Sequence, residues 1–292
     1  MRVTLSVVLS TLLVAIAGAQ QVSYVTTIQP FRFILEEVVG ERAQVRALLP
    51  PGASPHTHHL RPSDIRAAQE ATALFSGGPG LDDWADELPC ARKFSLLALV
   101  PQDSLLRLGT HGSPQPAPHA HSHTGVDPHF WTDPVLVRAM LPALVDSLCR
   151  VDRAGSAVYR RNASMFTRQL DSLTTALAAA LSKVRGARVI LAHPFFNYFL
   201  RRFGIEVVGT VELAAGSEPS ARDIQRLRLL AQTTGAKAIF THPQLPDHPA
   251  RAVAEAAGIP IVQLDPLGGA EGRTSYAQLL WYNARILARV LR

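Results

Sequence analysis

Eleven histidines lie in this 292-residue chain, and their positions matter more than their number. His56, His58 and His59 stand in Pro-His-Thr-His-His. His111, His119, His121 and His123 are spread through a stretch of Gly, Ser, Pro and Ala. His129 lies in Asp-Pro-His-Phe-Trp, His193 in Ala-His-Pro-Phe-Phe, and His242 and His248 follow near the end. Neutral imidazole is the commonest protein ligand for borderline metal ions. His56, His129 and His193, with Asp265 of Leu-Asp-Pro-Leu-Gly, could close a tetrahedron around zinc at about 2.0–2.2 Å per ligand. Each also has a plainer role. His56 could be loop polarity, His129 a turn residue beside Trp131, His193 a core residue at a helix start, and Asp265 a turn cap. Spacing alone leaves both readings open, because these residues are far apart in sequence.

Enzyme patterns are absent where they can be checked. There is no His-Glu-x-x-His, no Gly-x-Ser-x-Gly and no phosphate-binding glycine loop. His56-Thr57-His58-His59 lacks the acidic residue of a binuclear hydrolase loop, and Ala-Gly-Ser-Glu-Pro at 215–219 is not a nucleophile elbow. A hydrolytic zinc keeps one position open for water, with a base nearby. Four protein ligands leave no such position. A metal-binding protein is therefore expected rather than a zinc hydrolase; a metal-binding adhesin or buffer would differ only in its partner.

The elements that must position these residues alternate. Strands are expected at 22–28, 45–49, 73–76, 189–192, 238–240 and 261–264, and helices at 30–39, 62–70, 135–148, 195–203, 220–234, 250–257 and 276–291. Such alternation predicts α/β architecture, two parallel-sheet lobes with helices on both faces. His56 lies in the loop after a strand, while His193 and Asp265 directly follow strands. Ligands in such sheets bind outside the carboxyl ends of the strands. Residues 154–184 contain no Pro, and Val158, Met165, Leu170, Leu173, Leu177 and Leu181 recur near helical spacing. They predict one rigid rod of about 45 Å between the lobes. The Gly/Ser/Pro/His stretch at 109–125 has no apolar periodicity and reads as a flexible His-rich loop.

Hydrophobic residues make up 47% of the chain and charged ones 18%, which excludes a disordered chain and suits two domains. The expected organisation is a signal peptide at 1–19, a lobe at 20–153, the connecting helix at 154–184 and a second lobe at 185–292. An apolar run at 3–16 precedes Ala17-Gly18-Ala19, a small-x-small pattern that predicts export with cleavage before Gln20. No cysteine follows that point to carry a lipid, and the run is short for a membrane span. The net charge is +6, but the basic residues are scattered singly or in pairs, so no nucleic-acid partner is expected. Cys90 and Cys149 could pair in an oxidising compartment; nothing in the sequence shows that they approach.

With these residues in hand, the chain resembles the zinc-specific solute-binding proteins of ABC-type metal importers, the high-affinity zinc uptake (Znu-type) group, over nearly all its length. Residues 52–64, Gly-Ala-Ser-Pro-His-Thr-His-His-Leu-Arg-Pro-Ser-Asp, look like that family's first-ligand loop. Asp-Pro-His-Phe-Trp-Thr-Asp-Pro at 127–134, Leu-Ala-His-Pro-Phe-Phe-Asn-Tyr-Phe at 191–199 and Leu-Asp-Pro-Leu-Gly at 264–268 resemble the second, third and fourth. Ser-Glu-Pro-Ser at 217–220 and the closing helix with Asn283 fit as well. The resemblance implies a Zn2+ site at His56, His129, His193 and Asp265 in the cleft between the lobes. It also implies a periplasmic monomer, delivery of the ion to an ABC transporter permease, and a His-rich loop before the second ligand. A periplasmic zinc chaperone is a further expected partner. Secondary metal contacts are expected at His58, His119, His121 and His123. Pro55 stands where some relatives have a glutamate ligand, which leaves the fourth position to Asp265 or, failing that, water; His58 stands where the family has tyrosine and is an alternative ligand. A glutamate at the third position would suit manganese; His193 stands there.

Overall fold

Branched and aromatic residues dominate Val22-Ser23-Tyr24-Val25-Thr26, and they form the first strand, β1 (Val22–Thr26). In this computed structural model, residues 22–108, 125–212 and 219–292 are described. The first lobe continues with α1 (Gln29–Val39), β2 (Ala43–Ala47), α2 (Pro62–Glu70), β3 (Ala73–Ser76), β4 (Lys93–Ser95) and α3 (Pro134–Val151). After α4 (Ser156–Ala180), the second lobe runs β5 (Arg188–Leu191), α5 (Asn197–Arg202), β6 (Glu206–Thr210), α6 (Ala221–Thr234) and β7 (Ile239–Thr241). It closes with α7 (His248–Ala257), β8 (Ile261–Gln263) and α8 (Tyr276–Val290).

Each lobe holds a four-stranded parallel sheet, in the order β2-β1-β3-β4 and then β6-β5-β7-β8. The central strands β3 and β7 are buried at every residue, as parallel strands covered on both faces must be. The expected architecture is therefore the observed one. Two strands went unforeseen, β4 and β6. Both are sheet edges; β4 has only three residues with Lys93 exposed, and Gly209 interrupts β6, so neither carries a continuous apolar run.

The connecting rod is shorter than its sequence suggested. The α-helix covers 25 residues, about 37 Å, and single 3-10 turns at Arg153–Gly155 and Ser182–Val184 flank it. Its buried stripe is Tyr159, Ala163, Phe166, Leu170, Leu173 and Leu177, while Met165 faces solvent at 48% exposure. The hydrophobic phase was thus misplaced by about one residue near Met165. That stripe packs on α1, α3 and α8, so α4 touches both lobes and one apolar core runs from Phe31 through Trp131 and Leu170 to Phe199 and Leu287. Gly155 starts this helix because a Cβ there would lie 2.5 Å from the Tyr159 ring.

Polar contacts fix one lobe on the other. The Trp131 indole donates to the Pro266 carbonyl (2.9 Å), and the Tyr276 hydroxyl donates to the Trp131 carbonyl (2.7 Å). Arg202 of α5 pairs with Asp133, whose carboxylate also caps α3 by accepting from the Val135 amide. Cys90 and Cys149 are free thiols. The expected signal segment 1–19, the loop histidines His111, His119, His121 and His123, and Ser217 with Glu218 lie outside the described residues.

Candidate metal centre

His56 sits on a 3-10 turn, Pro55–Thr57, in the loop between β2 and α2. Two side chains hold that loop in place. The Trp84 indole donates to the Pro55 carbonyl (2.8 Å), and Arg61 donates to the Leu48 carbonyl (2.9 Å) while pairing with Asp64. His56 is the one partly open histidine of the site; His129 and His193 are 1% and 4% exposed.

His129 precedes the short turn Phe130–Thr132 that leads into α3. The buried Asp127 carboxylate accepts from its backbone N–H (3.0 Å) and lies 2.7 Å from its Nδ1. Asn197 donates to the other carboxylate oxygen (2.8 Å), and the Tyr198 hydroxyl donates to the Asp127 carbonyl. A carboxylate in that place keeps the proton on Nδ1 and leaves the Nε2 lone pair bare, which is how metal-bound histidines are commonly oriented.

His193 follows β5 at the point where the chain turns into Pro194–Phe196. It is buried, and its Nδ1 has no hydrogen-bond partner. Burial, reinforced by repulsion from His56, His129 and His242, holds its pKa well below the usual imidazole value. The ring is therefore neutral at pH 7, the state that binds metal.

These three rings, from two lobes and across 137 residues, converge. His56 Nε2 lies 3.2 Å from His129 Nε2 and 3.2 Å from His193 Nε2. Two ligand nitrogens about 2.0–2.1 Å from a tetrahedral zinc are about 3.3–3.4 Å apart, so the spacing is already close to that of a zinc tripod. A proton shared among the three Nε2 atoms bridges one pair at a time. His129 presents a lone pair, neutral His193 carries one ring proton, and a proton on His56 Nε2 can serve only one neighbour. A cation in the centre satisfies all three. Phe195 packs against each ring, with centroids 5.5 Å from His56, 4.4 Å from His129 and 4.9 Å from His193, and walls the site with apolar surface.

Among the described residues, these three form the group of ligand-type side chains able to hold a metal ion. Asp265 is placed outside it. One of its carboxylate oxygens accepts from Gln244 Nε2 (3.1 Å) and from the Leu267 and Gly268 amides (both 3.0 Å). The other forms an ion pair with Arg273 at 3.0 Å, whose guanidinium lies over the Tyr282 ring. Asn283 brackets the Asp265 backbone, accepting from its N–H and donating to its carbonyl. His58 does not join the trio either: its Nε2 lies 3.0 Å from Asp64, and its ring packs on Trp84. Burial alone would raise the Asp64 pKa, but hydrogen bonds from Arg61 and His58 bring it down to about 2, so that carboxylate is a firm anchor.

Sequence reasoning passed over Asp127, Phe195 and His242. His242 directly follows β7, as His193 follows β5, and that parallel was visible in the sequence. Asp127 and Phe195 each lie two residues from a ligand candidate, but only the fold shows their rings and carboxylate facing inward.

The sequence pattern of the ZnuA family, zinc-uptake complex component A, periplasmic, matches residues 25–290. The chain belongs to this family. It is 29% identical to the high-affinity zinc uptake system protein ZnuA of Paracoccus denitrificans over 94% of this chain and 93% of that one. A putative metal-binding protein of Thermotoga maritima is 27% identical over 92% of each chain. Among solved structures, the periplasmic zinc-binding protein TroA of Treponema pallidum superposes with a TM-score of 0.77 at 22% identity, over 93% of this chain and 99% of that one. That likeness shows the shared fold of this family of binding proteins.

Proposed function

We propose that this chain captures Zn2+ outside the cytoplasm on His56, His129 and His193 and delivers it to the permease of an ABC transporter. The observation that carries this reading is the convergence of three imidazoles from two lobes that share a core, with His56 Nε2 3.2 Å from the Nε2 atoms of both His129 and His193. Membership of the zinc-uptake family supports it. Three nitrogen ligands suit zinc better than manganese, which favours oxygen. Copper(II) would bind such a set more tightly by intrinsic affinity, so supply contributes to the choice of metal. Because His56 is the open member, the ion enters and leaves on its side.

The fourth position takes a side chain or water. Asp265, expected there from the sequence, reaches it only by giving up Arg273 and the two backbone amides. Around the core reading stand finer ones: a leader removed before Gln20, a monomer in solution, a periplasmic chaperone as zinc donor, and collection of zinc by His111, His119, His121 and His123. Metal analysis of the purified chain, followed by competition with a zinc chelator, tests the main reading. One tightly held zinc per chain is expected. A chain that holds no zinc, or holds it only as weakly as free histidine, contradicts it.

A further inference from the structure

The second sheet reverses its strand order between β5 and β7, the place where parallel α/β sheets commonly bind their ligands. His193 leaves β5 on one side, and His242 leaves β7 on the other. His242 is 4% exposed, and its ring meets that of His193 edge-on, centroids 5.9 Å apart. It also packs on Phe195 at 4.6 Å, so that four imidazoles, His56, His129, His193 and His242, surround one phenylalanine ring.

His242 Nδ1 is buried without a hydrogen-bond partner. The Gln244 side chain lies close enough to influence its basicity, yet Gln244 Oε1 is buried without a partner too. Leaving a buried polar atom unpaired costs about 1–3 kcal/mol, and here two complementary atoms two residues apart in one loop bear that cost. Asp265, by contrast, already accepts three hydrogen bonds on one oxygen, from Gln244 and two amides, while its other oxygen lies 3.0 Å from Arg273 Nε in an ion pair that makes no hydrogen bond.

We propose that His242 is the fourth zinc ligand: its ring turns onto the ion held by His56, His129 and His193, while Asp265 stays with Arg273. The same turn lets Nδ1–H donate to Gln244 Oε1 and bares Nε2, the arrangement Asp127 imposes on His129. The resulting four-imidazole shell favours zinc over oxygen-seeking ions such as manganese or magnesium. The inference rests on the zinc-capture reading and deepens it.

The test uses the whole chain with 15N-labelled histidine and one equivalent of Zn2+, read by long-range proton–nitrogen correlation of the imidazole rings. Four ring nitrogens are expected at the metal-bound position, with one of them lost in His242→Gln and all four kept in Asp265→Asn. By chelator competition, zinc affinity is expected to fall about tenfold or more in His242→Gln and to change less than about threefold in Asp265→Asn. The wild-type spectrum decides the matter even if a variant folds poorly. Three bound ring nitrogens with His242 unmoved, or an affinity loss confined to Asp265→Asn, would overturn the assignment. A wild-type chain that binds no zinc would overturn the zinc-capture reading itself, and this inference with it.

Discussion

The Oδ1 atom of Asp127 lies 2.7 Å from Nδ1 of His129, and neither side chain is more than 1% exposed. This contact aims the opposite nitrogen, Nε2, at His56. Asp127→Asn removes the charge that orients the ring while nearly preserving its shape. Zinc affinity is expected to fall about 10- to 100-fold, the usual loss when a metal-bound histidine loses its orienting carboxylate. Chelator competition measures this, with the apo unfolding temperature as a check on folding. An unchanged affinity would mean that Asp127 serves the lobe contact with Asn197 and Tyr198 and not the site.

Two buried imidazoles set a pH dependence. Burial, then the neighbouring imidazoles, depresses His193; burial, then His129, brings His242 down to about 3. A depressed folded-state pKa favours the neutral form, so the stability it contributes is full above the unfolded value near 6.5. It is lost as pH falls from there toward about 3. The apo chain is expected to unfold more easily step by step below pH 6.5, with a shallower decline in His242→Gln. Bound zinc should hold stability to lower pH, since protons must displace the metal. For the same reason, His193 yields its zinc to protons at a lower pH than free imidazole does. Urea midpoints across pH 4–8, with and without zinc, report all of this; identical profiles would contradict it.

Asp152 supports the start of the connecting helix. Arg42 donates to both its oxygens (2.8 Å each) and Tyr159 donates to one (2.6 Å). The Arg42 pair, helped by Tyr159, outweighs burial and brings the Asp152 pKa down to about 2. Its stabilising effect is therefore present above about pH 3.8 and is lost as pH falls through 2. Since Arg42 is about a third exposed, Asp152→Asn is expected to cost no more than about 2 kcal/mol at pH 7 and progressively less in acid. Zinc affinity should not move. Chemical denaturation at pH 7 and pH 3 tests the pair of claims.

Tyr276→Phe probes the lobe contact. Removing the hydroxyl leaves the buried Trp131 carbonyl without its 2.7 Å donor, at an expected cost of about 1–3 kcal/mol by urea denaturation. A neutral result would mean that apolar packing of Trp131 suffices to hold the lobes.

Much of this was legible in advance because parallel sheets write strand and helix signals strongly. Buried central strands such as Ala73–Ser76 and the Pro-started helix Pro62–Glu70 read directly from the sequence. The edges did not: β4 and β6 depend on a neighbouring strand more than on their own residues. For the site, imidazoles in loops that follow strands pointed to His56 and His193, and the family motifs pointed to His129. The state of Asp265 was illegible, since Arg273 and Gln244 are brought to it only by the turn after β8 and by the loop after β7. The surroundings of His58 were illegible for a similar reason: its partner Asp64 is six residues away, and only the fold brings the two together and sets the His58 ring on Trp84.

The central claim is that three convergent imidazoles hold one zinc ion. Titration of the apo chain with Zn2+ in competition with a chelator, repeated on His129→Ala and His193→Ala, tests it most directly. The account predicts one tight site in the wild type and an affinity lower by orders of magnitude in each variant, while the apo unfolding curves remain cooperative. One tight zinc retained undiminished in both variants would contradict it.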